Sequence, residues 1–323
     1  MLNQTAPLPL RDPSLFRQAC YVGGKWIEAD DGATTTVRNP ATGAVLGTVP
    51  AFGAAETDRA IAAAAGAFPA WRALLAKERA AILRRLFTLM IDNTEDLALI
   101  MTAEQGKPLA ESRGEIAYAA SFIEWFAEEG KRVYGDTVPQ NAHGRRILVM
   151  KEPIGVFAAI TPWNFPLTLV MVKLAPALLA GCTVVIKPAS ETPLDLRVLA
   201  AAVVAARVPA GVINIITGSR IVGAQLVQHP LVSKVAFTGS TEAGRTIAEQ
   251  CGRLLRPVTL ELGGKSACVV LEDADLDALA RVLIRTTLRN TGQTCYNSTR
   301  LLAPTVIYER VVDLASSVIG EAR

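Results

Sequence analysis

The stretch that decides the fold spans residues 155–190 and reads GVFAAITPWNFPLTLVMVKLAPALLAGCTVVIKPAS. It begins and ends with short apolar runs, and the second is rich in Val and Ile. Such runs are typical of strands that are buried on both faces of a sheet. A helix-length apolar segment lies between them. The stretch therefore predicts a parallel βαβ unit.

Part of this stretch, residues 167–186, resembles a membrane span. Lys173 lies in its middle, where an ammonium group is costly in lipid, and Pro176 and Gly181 interrupt the apolar run. A buried helix followed by a buried strand explains the segment better. We therefore expect no membrane contact.

The same alternation continues toward the C-terminus. The runs VINIITG (212–218), KVAFTGS (234–240) and PVTLELG (257–263) are separated by helix-length segments. Together with the first two runs, they predict a doubly wound parallel sheet in an α/β fold. Before this sheet, residues 55–130 have helical periodicity and residues 131–153 predict an extended hairpin.

Composition excludes several classes of protein. Half of the 323 residues are hydrophobic, and the net charge of +3 is too small to indicate a nucleic-acid partner. The five cysteines form no CxxC pair, which favours reduced thiols in the cytoplasm. The two histidines supply neither a multi-His metal site nor a triad. The first ten residues lack the pattern of a signal peptide, so we expect a cytoplasmic protein.

Polar residues follow the predicted strands, where ligands of open parallel sheets bind. A Gly-Ser-Thr turn after the fourth strand suits a phosphate, although a plain helix N-cap would have the same sequence. The lysine after the second strand is by itself equally compatible with a solvated side chain. The residues at these strand ends are Thr161, Trp163 and Asn164; Lys187 and Ser190; Gly239 and Ser240; and Glu261.

Cys295 is the candidate nucleophile. It ends the sequence GQTC (292–295) and is followed by Tyr-Asn-Ser-Thr. A free cysteine usually behaves as a small buried hydrophobe, but this setting is polar and is not a core pattern.

The chain resembles the aldehyde dehydrogenase superfamily in five motifs, which occur in the family's order and spacing: TPWNFP, KPAS, FTGSTEAGR, ELGGK and GQTC. Within that superfamily, the chain is most similar to the succinate-semialdehyde dehydrogenases, through the segments NPATGAVLGTVP, EQGKPLAESRGEIAYAASFIEWFAEE and YGD. The resemblance implies a Rossmann-like NAD(P)-binding domain over residues 1–258, with an oligomerisation hairpin within 131–153. Residues 259–323 would begin a second, catalytic α/β domain. A homo-oligomer is expected for the full-length family form.

The resemblance also implies a mechanism for oxidation of an aldehyde, with succinate semialdehyde or a similar compound as the expected substrate. Cys295 adds to the carbonyl to form a thiohemiacetal. Asn164 and the N–H of Cys295 stabilise the oxyanion. After hydride transfer to the nicotinamide, Glu261 activates the water that hydrolyses the thioester. No metal is required.

For the cofactor, the resemblance places Lys187 on the adenosine ribose, Ser240 beside Gly239 on the pyrophosphate, and Trp163 near the ribose; Thr161 belongs to the same set. Many NAD-dependent relatives have a glutamate three residues after the lysine, which repels a 2′-phosphate. This chain has Ser190 there, which favours NADP, and Glu191 beside it keeps NAD open.

Three departures from the family pattern matter. Arg289 retains one of two arginines that hold a substrate carboxylate, but Val172 replaces the other. Asn297 replaces a second cysteine that forms a disulfide switch in some relatives. The chain stops at Arg323, where the family continues, so we expect uncovered apolar surface and little activity.

Two other functions stay open from the sequence. One is an inactive nucleotide-binding or scaffold fragment of such an enzyme. The other is a cysteine-dependent acyl transferase or esterase, for which no partner histidine is evident near Cys295.

Overall fold

The computed structural model describes residues 8–321, apart from the side chain of Arg197. Residues 1–7, which belong to the segment examined for a signal peptide, and residues 322–323 lie outside the described part. The chain divides into two compact units, Met1–Glu261 and Leu262–Arg323. The assignment of residues 1–258 to cofactor binding and of 259–323 to a catalytic domain stays a prediction.

The first unit combines short strands with eight α-helices among its described residues. Its strands are β1 (Cys20–Val22), β2 (Lys25–Ile27), β3 (Thr34–Arg38), β4 (Val45–Pro50), β5 (Asp136–Val138), β6 (Ile147–Val149), β7 (Val156–Ile160), β8 (Thr183–Lys187), β9 (Ile213–Ile215), β10 (Val232–Gly239) and β11 (Val258–Leu262). Its helices are α1 (Ala54–Ala73), α2 (Ala76–Asp92), α3 (Thr94–Gln105), α4 (Leu109–Glu129), α5 (Thr168–Ala180), α6 (Asp195–Ala205), α7 (Arg220–Gln228) and α8 (Thr241–Arg253).

A seven-stranded sheet forms the centre of this unit, in the order β11-β10-β7-β8-β9-β1-β2. Strands β10, β7, β8 and β9 run parallel, which confirms the predicted α/β sheet. One edge differs from the all-parallel prediction, because β1 pairs antiparallel with both β9 and β2. Because β1 is buried along its whole length, its backbone groups need partners, and antiparallel pairing with β9 and with the adjacent strand β2 supplies them.

The helices also follow the sequence pattern. Helix α3 ends at Gly106, whose positive φ of 89° suits glycine. The span-like segment 167–186 forms α5 and most of β8, both largely buried. No helix within the described residues is long and apolar enough to cross a membrane. The predicted hairpin is present as the antiparallel pair β5 and β6.

The second unit is smaller. Parallel strands β12 (Ala267–Val269) and β13 (Arg300–Leu302) accompany helices α9 (Leu276–Thr287) and α10 (Tyr308–Gly320). Val270, Ile307 and Val311 form a small buried apolar cluster in this unit. Many of its apolar side chains are exposed; Val269 is 65% exposed.

Candidate active site

The sheet register gathers several candidate residues at one edge. Ile160 at the end of β7 pairs with Lys187 at the end of β8 and with Phe237 on β10. Thr161 follows Ile160 directly, and Gly239 ends β10. The carboxyl ends of three neighbouring parallel strands therefore bring Thr161, Lys187 and Gly239 together, where α/β sheets bind nucleotides.

Lys187 is only 8% exposed, so the solvated alternative is wrong. Burial lowers the pKa of its ammonium group, and Glu191 partly raises it. Its Nζ donates a hydrogen bond to the carbonyl oxygen of Pro188 at 3.1 Å. An ammonium has three N–H groups, so Lys187 retains donors for ribose hydroxyls or a phosphate.

The other residues expected to bind the cofactor differ in their burial and in their hydrogen bonds. The hydroxyl of Thr161 is buried and has no hydrogen-bond partner in the described part of the chain. Ser240 caps α8, with its Oγ accepting from the N–H of Ala243 at 3.2 Å, as the N-cap interpretation predicts. Ser190 and Trp163 are exposed. A buried ammonium with free donors and an orphaned buried hydroxyl at one sheet edge fit a polyhydroxylated nucleotide.

Asn164 lies in the loop between β7 and α5, and its side chain is half-buried. Its backbone carbonyl oxygen accepts a hydrogen bond from Nζ of Lys107 at 2.8 Å. Lys107 is itself paired with Glu115, and both side chains are buried. Sequence reasoning missed this pair, since a lysine beside a proline at a helix end resembles a solvated residue.

Lys173 on α5 is a second missed residue. Its Nζ donates to Oγ1 of Thr238 at 2.6 Å and to the carbonyl oxygen of Leu169 at 3.2 Å. Burial lowers the pKa of Lys173 to about 8, while Glu261 on β11 raises it. Glu261 itself is exposed. Sequence reasoning treated Lys173 only as a charge that interrupts an apolar run, whereas in the fold it is a buried ammonium within the field of Glu261.

Cys295 is exposed, as its polar sequence context predicts. All five cysteines are free; Cys20, Cys182 and Cys251 are buried and Cys268 is half-buried. Gly264, from the predicted ELGGK motif, lies beside the Cys295 backbone, since a Cβ on it would be 3.5 Å from the Cys295 carbonyl oxygen.

The loop before Cys295 has unusual backbone geometry. Asn290, Thr291 and Gly292 all have positive φ, at 54°, 53° and 79°. For the two residues with side chains, this conformation costs free energy unless the surroundings hold it. Side chains after the loop supply part of that support. Thr294 Oγ1 donates to the carbonyl oxygen of Arg289 at 3.1 Å, and Asn297 Nδ2 donates to that of Thr287 at 3.0 Å.

Asn297 therefore has a role that the sequence did not indicate. The sequence identified it only as the replacement of a cysteine, whereas it is 4% exposed and anchors the loop that leads to Cys295. Arg289, the proposed carboxylate ligand, is exposed at the start of a 3₁₀ turn, Arg289–Gly292. Val172 lies half-buried on α5. Among residues 8–321, no group of three or more His, Cys, Asp or Glu side chains is arranged to hold a metal ion.

Comparison with known proteins shows the family. Residues 26–319 match the aldehyde dehydrogenase family model. The chain is 52% identical to the glutarate-semialdehyde dehydrogenase of Pseudomonas putida, over 98% of this chain and 66% of that protein. It is 52% identical to the NADP(+) succinate-semialdehyde dehydrogenase of Escherichia coli, over 97% of this chain and 65% of that protein.

A solved structure agrees with these relatives. The succinate-semialdehyde dehydrogenase from Burkholderia pseudomallei superposes with a TM-score of 0.95 at 51% identity, covering 98% of this chain and 66% of that one. The chain thus spans slightly less than two thirds of the length of the relatives it matches. It belongs to the aldehyde dehydrogenase family.

Proposed function

We propose that the protein oxidises a semialdehyde to the corresponding carboxylate with NADP or NAD as hydride acceptor. The observation that carries this proposal is Cys295, an exposed thiol just after three consecutive residues with positive φ, Asn290–Gly292. Family membership supports its role as nucleophile. The overall reaction balances as aldehyde, water and oxidised cofactor giving acid, reduced cofactor and a proton.

In the proposed mechanism, the thiolate of Cys295 attacks the aldehyde carbon and forms a C–S bond, giving a thiohemiacetal oxyanion. The side-chain amide of Asn164 and the N–H of Cys295 donate hydrogen bonds to that oxygen. The nicotinamide ring supplies the acceptor for the hydride that then leaves the carbon. Glu261 takes a proton from water as the water attacks the resulting thioester, and the C–S bond breaks.

For the cofactor, Lys187 would hold the adenosine ribose, with Thr161 and Trp163 nearby and the turn at Gly239 and Ser240 facing the pyrophosphate. The spare donors of Lys187 and the unpartnered hydroxyl of Thr161 support this assignment. We propose that NADP is preferred. Ser190 is exposed and uncharged, so it would not repel a 2′-phosphate, and the E. coli relative is an NADP(+) enzyme.

The proposed substrates share a chemical feature. Succinate and glutarate semialdehydes, which appear in the names of the relatives, both have a carboxylate at the end opposite the aldehyde. Arg289 would bind that carboxylate, since guanidinium and carboxylate groups form strong paired hydrogen bonds. A single arginine should accept semialdehydes with either length of carbon chain.

We also propose a homo-oligomer in the cytoplasm. The hairpin of β5 and β6 exposes apolar side chains, with Leu148 69% and Val149 44% exposed and Met150 directly after it 77% exposed, which supports an intersubunit contact. The five free cysteines support a reducing compartment.

The test is a spectrophotometric assay of purified protein with succinate semialdehyde, glutarate semialdehyde and an uncharged aldehyde of similar length, each with NADP and with NAD. We expect reduced cofactor to appear with both semialdehydes and more slowly with the uncharged aldehyde. Cofactor binding without turnover would instead favour the scaffold function. Acyl-ester hydrolysis without any need for cofactor would favour the esterase.

A further inference from the structure

Lys107 and Glu115 form an ion pair that is sealed from solvent. Their side chains are 0% and 1% exposed, and Nζ of Lys107 contacts Oε2 of Glu115. Burying two charges costs several kcal/mol per ion, and apolar residues of similar volume are often equally stable. Stability alone therefore does not explain why these two residues are buried here.

Both members of the pair bind the segment 164–168. Lys107 Nζ donates to the carbonyl oxygen of Asn164 at 2.8 Å and lies 4.2 Å from the centre of the Phe165 ring. Glu115 Oε1 accepts from the backbone N–H groups of Leu167 and Thr168, both at 3.1 Å. The carboxylate thus caps the start of α5 while the ammonium holds the loop that precedes it.

This segment contains the amide that the proposed function assigns to the oxyanion. Between β7 and Leu167 there are only six residues, Thr161–Pro166, and Asn164 is among them. Oxyanion donors act through fixed geometry, and a displacement of about 1 Å can reduce the rate roughly a hundredfold. A backbone carbonyl held at Asn164 restrains the orientation of the residue whose side chain must donate.

We propose that Lys107 and Glu115 are positioning residues, which together fix the backbone of residues 164–168 so that the Asn164 amide is aligned for the oxyanion. The inference rests on the proposed function, because it concerns the alignment of that function's oxyanion donor. Neither residue touches substrate or cofactor in this proposal. Both act through Asn164.

A double variant, Lys107→Met with Glu115→Gln, isolates the effect. It removes both charges together, which avoids leaving one of them buried and unpaired. The glutamine carbonyl can still accept from Leu167 and Thr168, whereas the bond to the Asn164 carbonyl is lost. Burial raises the pKa of Asp195, Glu115 raises it further and Lys107 lowers it, so the double variant removes two opposing influences on Asp195 together.

Glu104→Gln is the matched control. The Glu104 carboxylate is also buried and accepts two backbone N–H groups, those of Leu194 and Asp195 at 2.7 and 2.9 Å. These bonds cap α6 rather than α5. The control therefore makes the same Glu→Gln change at a buried carboxylate that caps a different helix.

The experiment measures kcat and KM of the wild type, the double variant and the control, and repeats the double variant in an Asn164→Ala background. We expect the double variant to lose ten- to a hundredfold in kcat with KM within about twofold, the pattern of a lost transition-state interaction. The control should stay within about twofold of wild type. In the Asn164→Ala background the double substitution should cost less than about twofold further, because its route of action is already absent.

Two kinetic results would overturn the inference: unchanged kcat in the double variant, or an equal loss in the Asn164→Ala background. Hydrogen exchange of the peptide covering residues 164–168 provides a readout that needs no activity. Faster exchange in the double variant than in the control supports positioning, and equal exchange contradicts it. A wild-type protein that oxidises none of the aldehydes would refute the proposed function, and exchange would then still decide whether the pair holds this segment.

Discussion

Replacing Lys173 with methionine should change how stability depends on pH. Burial lowers the pKa of Lys173 from 10.5 to about 8. Between these values the unfolded chain holds a proton that the folded chain has released. The free energy of unfolding therefore rises with pH across this window, and the cost of burying the charge applies in full below about pH 8.

The size of the effect follows from the shift. A difference of about 2.5 between the two pKa values corresponds to on the order of 3 kcal/mol. Between pH 7 and pH 10, on the order of 2 to 3 kcal/mol of this cost is relieved in the wild type. The methionine variant has no such pH dependence. Its stability relative to wild type should therefore fall by on the order of 2 to 3 kcal/mol over the same range, whatever constant offset results from losing the bond to Thr238.

Urea unfolding of both proteins at several pH values measures this difference, with the signal taken from the tryptophans, all four of which lie in the first unit. Lys77→Met, which removes an exposed lysine from α2, controls for general effects of charge and should show no such trend. A difference between wild type and Lys173→Met that stays constant from pH 7 to pH 10 would refute the reasoning.

Three further outcomes are expected for the proposed site. Cys295→Ala should abolish oxidation and leave cofactor binding intact, as measured by turnover and by titration; turnover within tenfold of wild type would exclude Cys295 as nucleophile. Glu261→Gln should give a rapid burst of reduced cofactor in stopped flow followed by slow turnover, because only thioester hydrolysis needs the base; loss of the burst would place Glu261 in an earlier step. Ser190→Glu should shift the ratio of NADP to NAD affinity by roughly tenfold toward NAD, since a carboxylate would repel the 2′-phosphate; an unchanged ratio would show that residue 190 does not face the ribose.

Much of the fold could be predicted because its signals are local. The end of α3 follows from Gly106, and the crossover from β7 through α5 to β8 follows from the order of apolar runs. The gathering of Thr161, Lys187 and Gly239 then follows from parallel pairing, since adjacent strand ends must lie at one edge. The antiparallel edge could not be predicted in this way. It depends on Tyr21 pairing with Ile215, far away in the chain.

What the sequence alone determined is the alternation of strands and helices, the polar strand ends and the position of the reactive cysteine, because each depends on neighbouring residues. Tertiary structure decided which charged side chains are buried. Lys107 beside a proline and Lys173 within an apolar helix carry the same charge as any surface lysine, and their sequence neighbours do not specify their partners. Lys107 is buried where the start of α5 meets α4, and Lys173 is held by Thr238, 65 residues further along. A buried ammonium is stable only where acceptors surround it, and only the folded chain brings those acceptors together.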